Sequence, residues 1–276
     1  MKTILIPTDF SETTENAVNY GLDMANDHKA NVLLMHVNQI PASTTEFGIS
    51  AYNVIDVKQN SLELLNSLKN KITQTHPSIK SISCFTEIGS PSDLILSYSK
   101  ENAVDIVIMG NSGYGSSFSK NLFGSTSVSV SKSINVPVII VPPNIYYTPL
   151  KKIAYGCDYE TDITNSKSLE CVTNISNDLN SDLNIVHIMP EDNLLSEQEA
   201  EMDYFVNGNL QTVMHKTFII KNNNVSDGLI EFVTEHNIDL IIVEPKKHSM
   251  FHSIFHKSVT NELAFFSPIP VMAIHG

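Results

Sequence analysis

Short apolar runs alternate along the chain with stretches in which apolar residues recur three and four positions apart, the patterns of strands and amphipathic helices in turn. Thr3 to Ile6 is the first strand, and Ser11 is placed to cap a helix whose Ala17, Val18, Leu22 and Ala25 share one face. Asn31 to Val37 is apolar nearly throughout, as a parallel strand covered on both faces has to be. A polar loop from Asn38 to about Asn53 leads to a predicted helix over 57–75, ended by His76-Pro77, and to a third strand over 79–86. Pro91 suits the first turn of a helix running from Asp93 to Asn102, and Asp105 to Met109 is a fourth buried strand. A helix over 125–133 and a strand over 136–141, with Pro137 at its start or edge, complete five β-α units.

Pro142-Pro143-Asn144-Ile145-Tyr146-Tyr147-Thr148-Pro149 then interrupts the rhythm, because three prolines so close together continue neither a helix nor a central strand. Beyond this break the sequence reads as a second copy. Lys151 to Asp158 echoes Lys2 to Asp9, and Asn184 to Ile188 echoes Leu33 to Val37. Ile238 to Val243 echoes Val104 to Met109, and Ile269 to Ile274 echoes Val136 to Val141. Four echoes in one order predict a duplicated domain, with a first copy over 1–143, a linker over 144–149 and a second copy over 150–276.

Composition narrows the function classes. With 42% hydrophobic and 17% charged residues, the 276-residue chain reads as folded rather than disordered. Its net charge is −13 and every basic residue is a lysine, so it lacks the basic face and the arginine forks of a nucleic-acid binder. The acidic surplus lies mainly in the second half, which has 8 lysines against 18 acidic residues. Cys84, Cys157 and Cys171 are widely spaced and suggest neither a disulfide framework nor a zinc site, which fits a reducing compartment. Only three consecutive apolar residues precede Pro7, too few for a signal or membrane segment, so the expected location is the cytoplasm.

After the fourth strand comes Gly110-Asn111-Ser112-Gly113, a serine-rich loop, and Gly124-Ser125-Thr126 opening a helix. Glycines let backbone amides approach an anion, the two hydroxyls can donate to it, and the helix start offers unpaired N–H groups and a favourable dipole. In an open parallel sheet such a loop lies in the crevice where ligands bind, although turn geometry alone also accounts for glycine-rich loops. Asp9 ends the first strand and could serve either a ligand or the following helix as a cap. His36, flanked by apolar residues, reads as a satisfied, partly buried histidine.

Ile6-Pro7-Thr8-Asp9-Phe10-Ser11, His36-Val37 and Met109-Gly110 together resemble the universal stress protein family, twice over, the second copy being degenerate. The resemblance implies an α/β fold of the adenine-nucleotide α-hydrolase-like, Rossmann-like kind: two repeats of a five-stranded parallel sheet, order 3-2-1-4-5, with helices on both faces. It also implies that the two fifth strands pair into an intramolecular pseudo-dimer, with further homodimerisation open. ATP-binding members carry G-x2-G-x9-G-[ST]. Carried over, Asp9 and Val37 border adenine and ribose, Met109 and Gly110 approach the nucleoside, and Gly113, Gly124, Ser125 and Thr126 hold the phosphates of ATP or AMP, with Mg²⁺ a possible companion. Ten residues rather than nine separate Gly113 from Gly124.

In the second copy Glu244 takes the place of Gly110, Lys247 that of Gly113, and His256 or Lys257 that of Gly124, so Asp158 is expected to survive without a nucleotide site around it. His248, His252 and His256 recur every fourth residue, a spacing compatible with zinc or nickel on a helix, and Lys246, Lys247 and Lys257 could attract an anion; loop residues freed from binding duty are the default reading. Phosphate-loop, nucleophile-elbow and zinc-protease motifs are missing, so at most slow ATP hydrolysis or autophosphorylation is expected. Two readings remain: a stress-response or signalling protein that binds an adenine nucleotide in its first domain, or a nucleotide-free interaction module acting as a pseudo-dimeric scaffold for an unidentified protein partner.

Overall fold

The computed structural model describes residues 1–39, 51–111, 125–157, 166–192, 206, 208, 210, 213–245 and 259–275. It divides into two compact units, Met1–Tyr147 and Thr148–Gly276.

The first unit runs β1 (Thr3–Pro7), α1 (Glu12–Asp27), β2 (Asn31–Asn38), α2 (Ala51–Thr75), β3 (Ser81–Ile88), α3 (Pro91–Glu101), β4 (Ile106–Gly110), α4 (Ser125–Ser133) and β5 (Val138–Val141). All its strand pairs are parallel, in the order β3-β2-β1-β4-β5. With right-handed crossovers, that order places α1 and α2 on one face and α3 and α4 on the other. Strands covered on both faces need side chains that tolerate burial all round, and Ile4, Leu5, Ile6, Val107 and Ile108 have no exposed surface. Gly21 lets α1 settle closely on this sheet: a Cβ there would stand 2.7 Å from Ile6 Cδ1 and 3.4 Å from Ile108 Cδ1.

The second unit repeats the plan with β6 (Lys152–Gly156), α5 (Ser166–Leu179), β7 (Asp182–Met189), β8 (His215–Lys221), α6 (Val225–His236), β9 (Leu240–Val243), α7 (Val259–Phe266) and β10 (Val271–Ala273). Its order, β10-β9-β6-β7-β8, is the same arrangement, again wholly parallel. Its core joins the strands to α6 through Val186, Leu229, Phe232, Val233 and Ile241, all buried.

The units share structural detail as well as order. Asp105 Oδ2 accepts the backbone N–H groups of Lys2 and Thr3 at 2.6 and 2.8 Å, and Asp239 Oδ2 accepts those of Lys151 and Lys152 at 2.8 Å each. Each aspartate thus ties the start of its unit's first strand to the start of the fourth. Pro137 and Pro270, whose rings leave them no N–H, still accept through their carbonyls from Val107 at 2.9 Å and Ile241 at 3.1 Å. Lys29 and Asn180 take the same left-handed conformation, φ 52°, as do Ala103 and Asn237 at φ 47° and 52°.

Some element boundaries differ from expectation. Helix α2 begins at Ala51 rather than 57, because Ile55 and Val57 are 66% and 40% exposed and break the one-sided apolar pattern that would have marked its start. Strand β3 begins at Ser81 because Ile79 closes a turn onto the His76 carbonyl at 3.2 Å. Strands β5 and β10 are shorter than the apolar runs that announce them, starting only after Pro137 and Pro270.

Candidate functional site

The strand order of the first unit reverses between β1 and β4, and at such a switch point the loops leaving the carboxyl ends of the strands part to form a crevice. The segment after β1 is heavily cross-bonded. Asp9 Oδ1 accepts the Ser11 N–H at 3.0 Å and the Thr14 hydroxyl at 2.7 Å, and Ser11 Oγ caps α1 by accepting the Thr14 N–H at 3.3 Å. Phe10 N–H donates to Thr8 Oγ1 at 3.1 Å. Asp9 is therefore part of the capping turn, while its Oδ2 has no hydrogen bond to a described residue. Burial pushes its carboxyl up, but the hydrogen bonds from Ser11 and Thr14 together outweigh that and hold it below the usual aspartate value.

Phe10 sits at φ 62°, a region bulky residues rarely enter, and its ring lies 4.8 Å from that of His36. His36 Nδ1 donates to the Thr8 carbonyl at 2.8 Å, which fixes the tautomer and ties β2 to the β1 loop. Neither contact is legible in the sequence beyond the run Thr8-Asp9-Phe10-Ser11, and Thr14, which makes the shortest hydrogen bond to Asp9, escapes the sequence reading. A hydroxyl three residues after a capping serine is the signal that could have found it.

Val37 lies near the end of β2, paired with Glu87. Met109 and Gly110 end β4, paired with Ile140 and Val141, Met109 buried and Gly110 half-buried. Asp9 follows two residues after the end of β1, in the loop that leaves the strand between β2 and β4. Ser125 and Thr126 open α4. Gly113 and Gly124 lie outside the described residues. What is described suits the nucleoside half of a nucleotide: a carboxylate oxygen for hydroxyl or amino donors, and a glycine whose missing side chain leaves room.

The corresponding edge of the second unit is differently furnished. Cys157 replaces Thr8, its N–H donating to the Val186 carbonyl at 2.9 Å, and His187 Nδ1 donates to the Cys157 carbonyl at 3.1 Å, so the histidine tie persists. Glu244 stands where Gly110 stands, and Ser168 on α5 donates to its Oε2 at 2.8 Å. Burial, then Glu244 and Glu170, push the Cys171 thiol up. Asp158, Lys246, Lys247, His248, His252, His256 and Lys257 lie outside the described residues. Among the described residues no cluster of three His, Cys, Asp or Glu could hold a metal, and no helix is long and apolar enough to cross a membrane.

A model of the universal stress protein family matches residues 1–142. A universal stress protein of Methanocaldococcus jannaschii is 29% identical over 153 residues, 51% of this chain and 94% of that protein. One from Bacillus subtilis is 26% identical over 147 residues, 50% of this chain and 97% of that protein. The crystal structure of a universal stress protein from Archaeoglobus fulgidus covers 99% of this chain and 98% of its own at a TM-score of 0.74 and 19% identity, a likeness of fold. The family match spans the unit that carries the crevice and half of the whole sequence, and the chain belongs to the universal stress protein family.

Proposed function

We propose that the chain is a stress-response protein that binds one adenine nucleotide, ATP or AMP, in the crevice of its first unit, and that it signals or protects without strong catalysis. The observation that carries this is Asp9, in the loop after β1 at the switch point: Ser11 and Thr14 hold its Oδ1, and the residue stays open to solvent. A carboxylate so oriented accepts hydrogen bonds from a ribose or an amino group. The phosphates fall to Gly113, Gly124, Ser125 and Thr126, with Mg²⁺ as their companion. In the second unit the carboxylate of Glu244 stands where Gly110 leaves room in the first, so that unit takes no nucleotide and is left free for a protein partner.

Calorimetric titration of the full chain with ATP and Mg²⁺, after a check for co-purified nucleotide, tests the reading. One site per chain, weakened by Gly113→Val, Ser125→Ala and Asp9→Asn, is expected. Absence of binding at millimolar ATP with no nucleotide carried through purification overturns it and leaves the nucleotide-free scaffold. Two equivalent sites per chain overturn the silent second unit.

A further inference from the structure

A pocket of about 180 Å³ opens at the opposite, amino-terminal edge of the second unit's sheet, away from the strand ends that form the crevices. Lys152 of β6, Asn184 of β7, Lys216 and Phe218 of β8, and His236 at the end of α6 line it. Its floor is aromatic. Phe218 packs edge-on against Phe232 at 4.9 Å and against His236 at 5.1 Å, and the Phe232 and His236 rings stack at 4.1 Å. Met214, 80% exposed, also lines the pocket.

The polar groups around this floor retain bonding capacity. Lys152 Nζ gives one hydrogen bond, to the His236 carbonyl at 3.3 Å, and an ammonium has three donors. Lys216 is exposed and forms no ion pair with a described residue. Asn184 is only 8% exposed and donates through Nδ2 to the Ile153 carbonyl at 3.1 Å, while its Oδ1 accepts from no described residue. That oxygen is not sealed from solvent, so at the pocket it is free to exchange water for a donor on a ligand. Asp182, at the same edge, sets one negative charge against the two lysines.

The first unit provides an internal comparison. Lys152 pairs with Asp182 as Thr3 pairs with Asn31, and Leu183 pairs with His215 as Val32 pairs with Ile82. By that register Lys152, Asn184 and Lys216 occupy the places of Thr3, Leu33 and Ser83. His236, just before a left-handed residue at the helix end, occupies that of Asn102. The aromatic floor is common to both units, since Phe85 stacks on Tyr98 at 4.2 Å. Only the second unit surrounds it with two lysines, a histidine and a buried amide.

We propose that this pocket binds a small organic acid with an apolar body, an aryl or branched-chain carboxylate. Its charged end meets Lys152 and Lys216, its body covers Phe218, and a hydroxyl or amino substituent donates to Asn184 Oδ1. Inorganic anions would satisfy the lysines and leave the aromatic floor bare.

The test is titration of the full chain with benzoate, 4-hydroxybenzoate and inorganic phosphate, followed by ligand-observed NMR at low salt. For a ligand of about nine non-hydrogen atoms a dissociation constant on the order of 1 mM is expected. Lys216→Ser, at an exposed position, should weaken benzoate by about tenfold, the loss of one charge-assisted contact. Lys152→Thr/Asn184→Leu/Lys216→Ser, which installs the first unit's residues, should abolish it, with an unchanged circular dichroism spectrum as control. The hydroxyl of 4-hydroxybenzoate should tighten binding in a way that Asn184→Leu removes, and Gly113→Val should change nothing. No saturable benzoate binding, binding indifferent to Lys216→Ser, or phosphate binding as tightly as benzoate would each overturn the proposal.

Discussion

Replacing Thr14 by valine tests whether the turn after β1 is organised around an ionised Asp9. Thr14 Oγ1 has one proton and four oxygen neighbours: Asp9 Oδ1 at 2.7 Å, the Ser11 carbonyl at 3.1 Å, and Thr8 Oγ1 and Ser11 Oγ at 3.3 Å each. The proton goes to the nearest and most negative of them. Valine keeps the shape and deletes that bond. A hydrogen bond to a charged group contributes roughly 1.5–3 kcal/mol, and because Asp9 is exposed, solvent screening cuts this to about 1 kcal/mol. The pH dependence separates this account from a simple loss of packing. Asp9 titrates below its usual value in the folded protein, so its contribution is fully present above the unfolded-state pKa and is lost as pH falls through the lower folded-state pKa. Thr14→Val raises the folded-state value and removes part of that contribution. Urea denaturation at a series of pH values should show the wild-type advantage at neutral pH and its disappearance in acid, and carboxyl NMR should show Asp9 titrating higher in the variant. A stability gap that stays constant down to the acid limit of the folded protein would refute the reasoning.

Three further outcomes are expected. Ala103→Gly should stabilise the chain by about 0.5–1 kcal/mol in urea denaturation, because exposed Ala103 is held at φ 47°, where glycine escapes a left-handed penalty larger than its entropic cost. Glu244→Gln should lower the Cys171 thiol pKa and speed its alkylation at mildly alkaline pH, since the Glu244 carboxylate adds to burial in holding the thiol protonated. Phe232→Ala should cost roughly 3–5 kcal/mol, as Phe232 is 1% exposed and packed between Phe218 and His236; a loss under about 1 kcal/mol would mean the α6–β8 core is looser than these contacts imply.

The parts of the structure legible in the sequence are those set by local pattern. Asp105 to Met109 and Ile238 to Val243 are short apolar runs bounded by polar residues, and a strand buried on both faces has no other way to look. Helix α2 is legible from Val57 onward, and its first turns from Ala51, where Ile55 is exposed, are not. The place of Asp9 after β1 is legible, but its bond to Thr14 is signalled only by the hydroxyl three residues after the capping Ser11. The aspartate ties escape a reading by pattern although their mark is present twice, an Asp just before a buried strand in Asp105-Ile106 and Asp239-Leu240. The pocket of the second unit cannot be read at all: Lys152, Asn184, Lys216 and His236 are brought together by strand order and register, not by proximity in the chain.

What the two units keep in common and what they do not divides along a physical line. The shared features close the backbone: the aspartate ties to the first strand, the histidine Nδ1 bonds of His36 and His187 to the loop after it, the proline carbonyls, and the left-handed residues that end corresponding helices. Each satisfies backbone groups or turns the chain, so losing one would expose unpaired strand edges or force a different connection. The differences lie at the two ends of the sheet, where side chains face solvent and the frame tolerates change. At the carboxyl end Gly110 gives way to Glu244, and a space becomes a carboxylate bonded to Ser168. At the amino end Thr3, Leu33 and Ser83 give way to Lys152, Asn184 and Lys216, so three uncharged side chains become two lysines and an amide. The first change alone would fit a unit reduced to scaffolding. Together with the second it fits a unit whose binding capacity has moved from one end of the sheet to the other. On that reading Gly113→Val should weaken nucleotide binding and leave carboxylate binding intact, while Lys216→Ser should weaken carboxylate binding about tenfold and leave nucleotide binding intact.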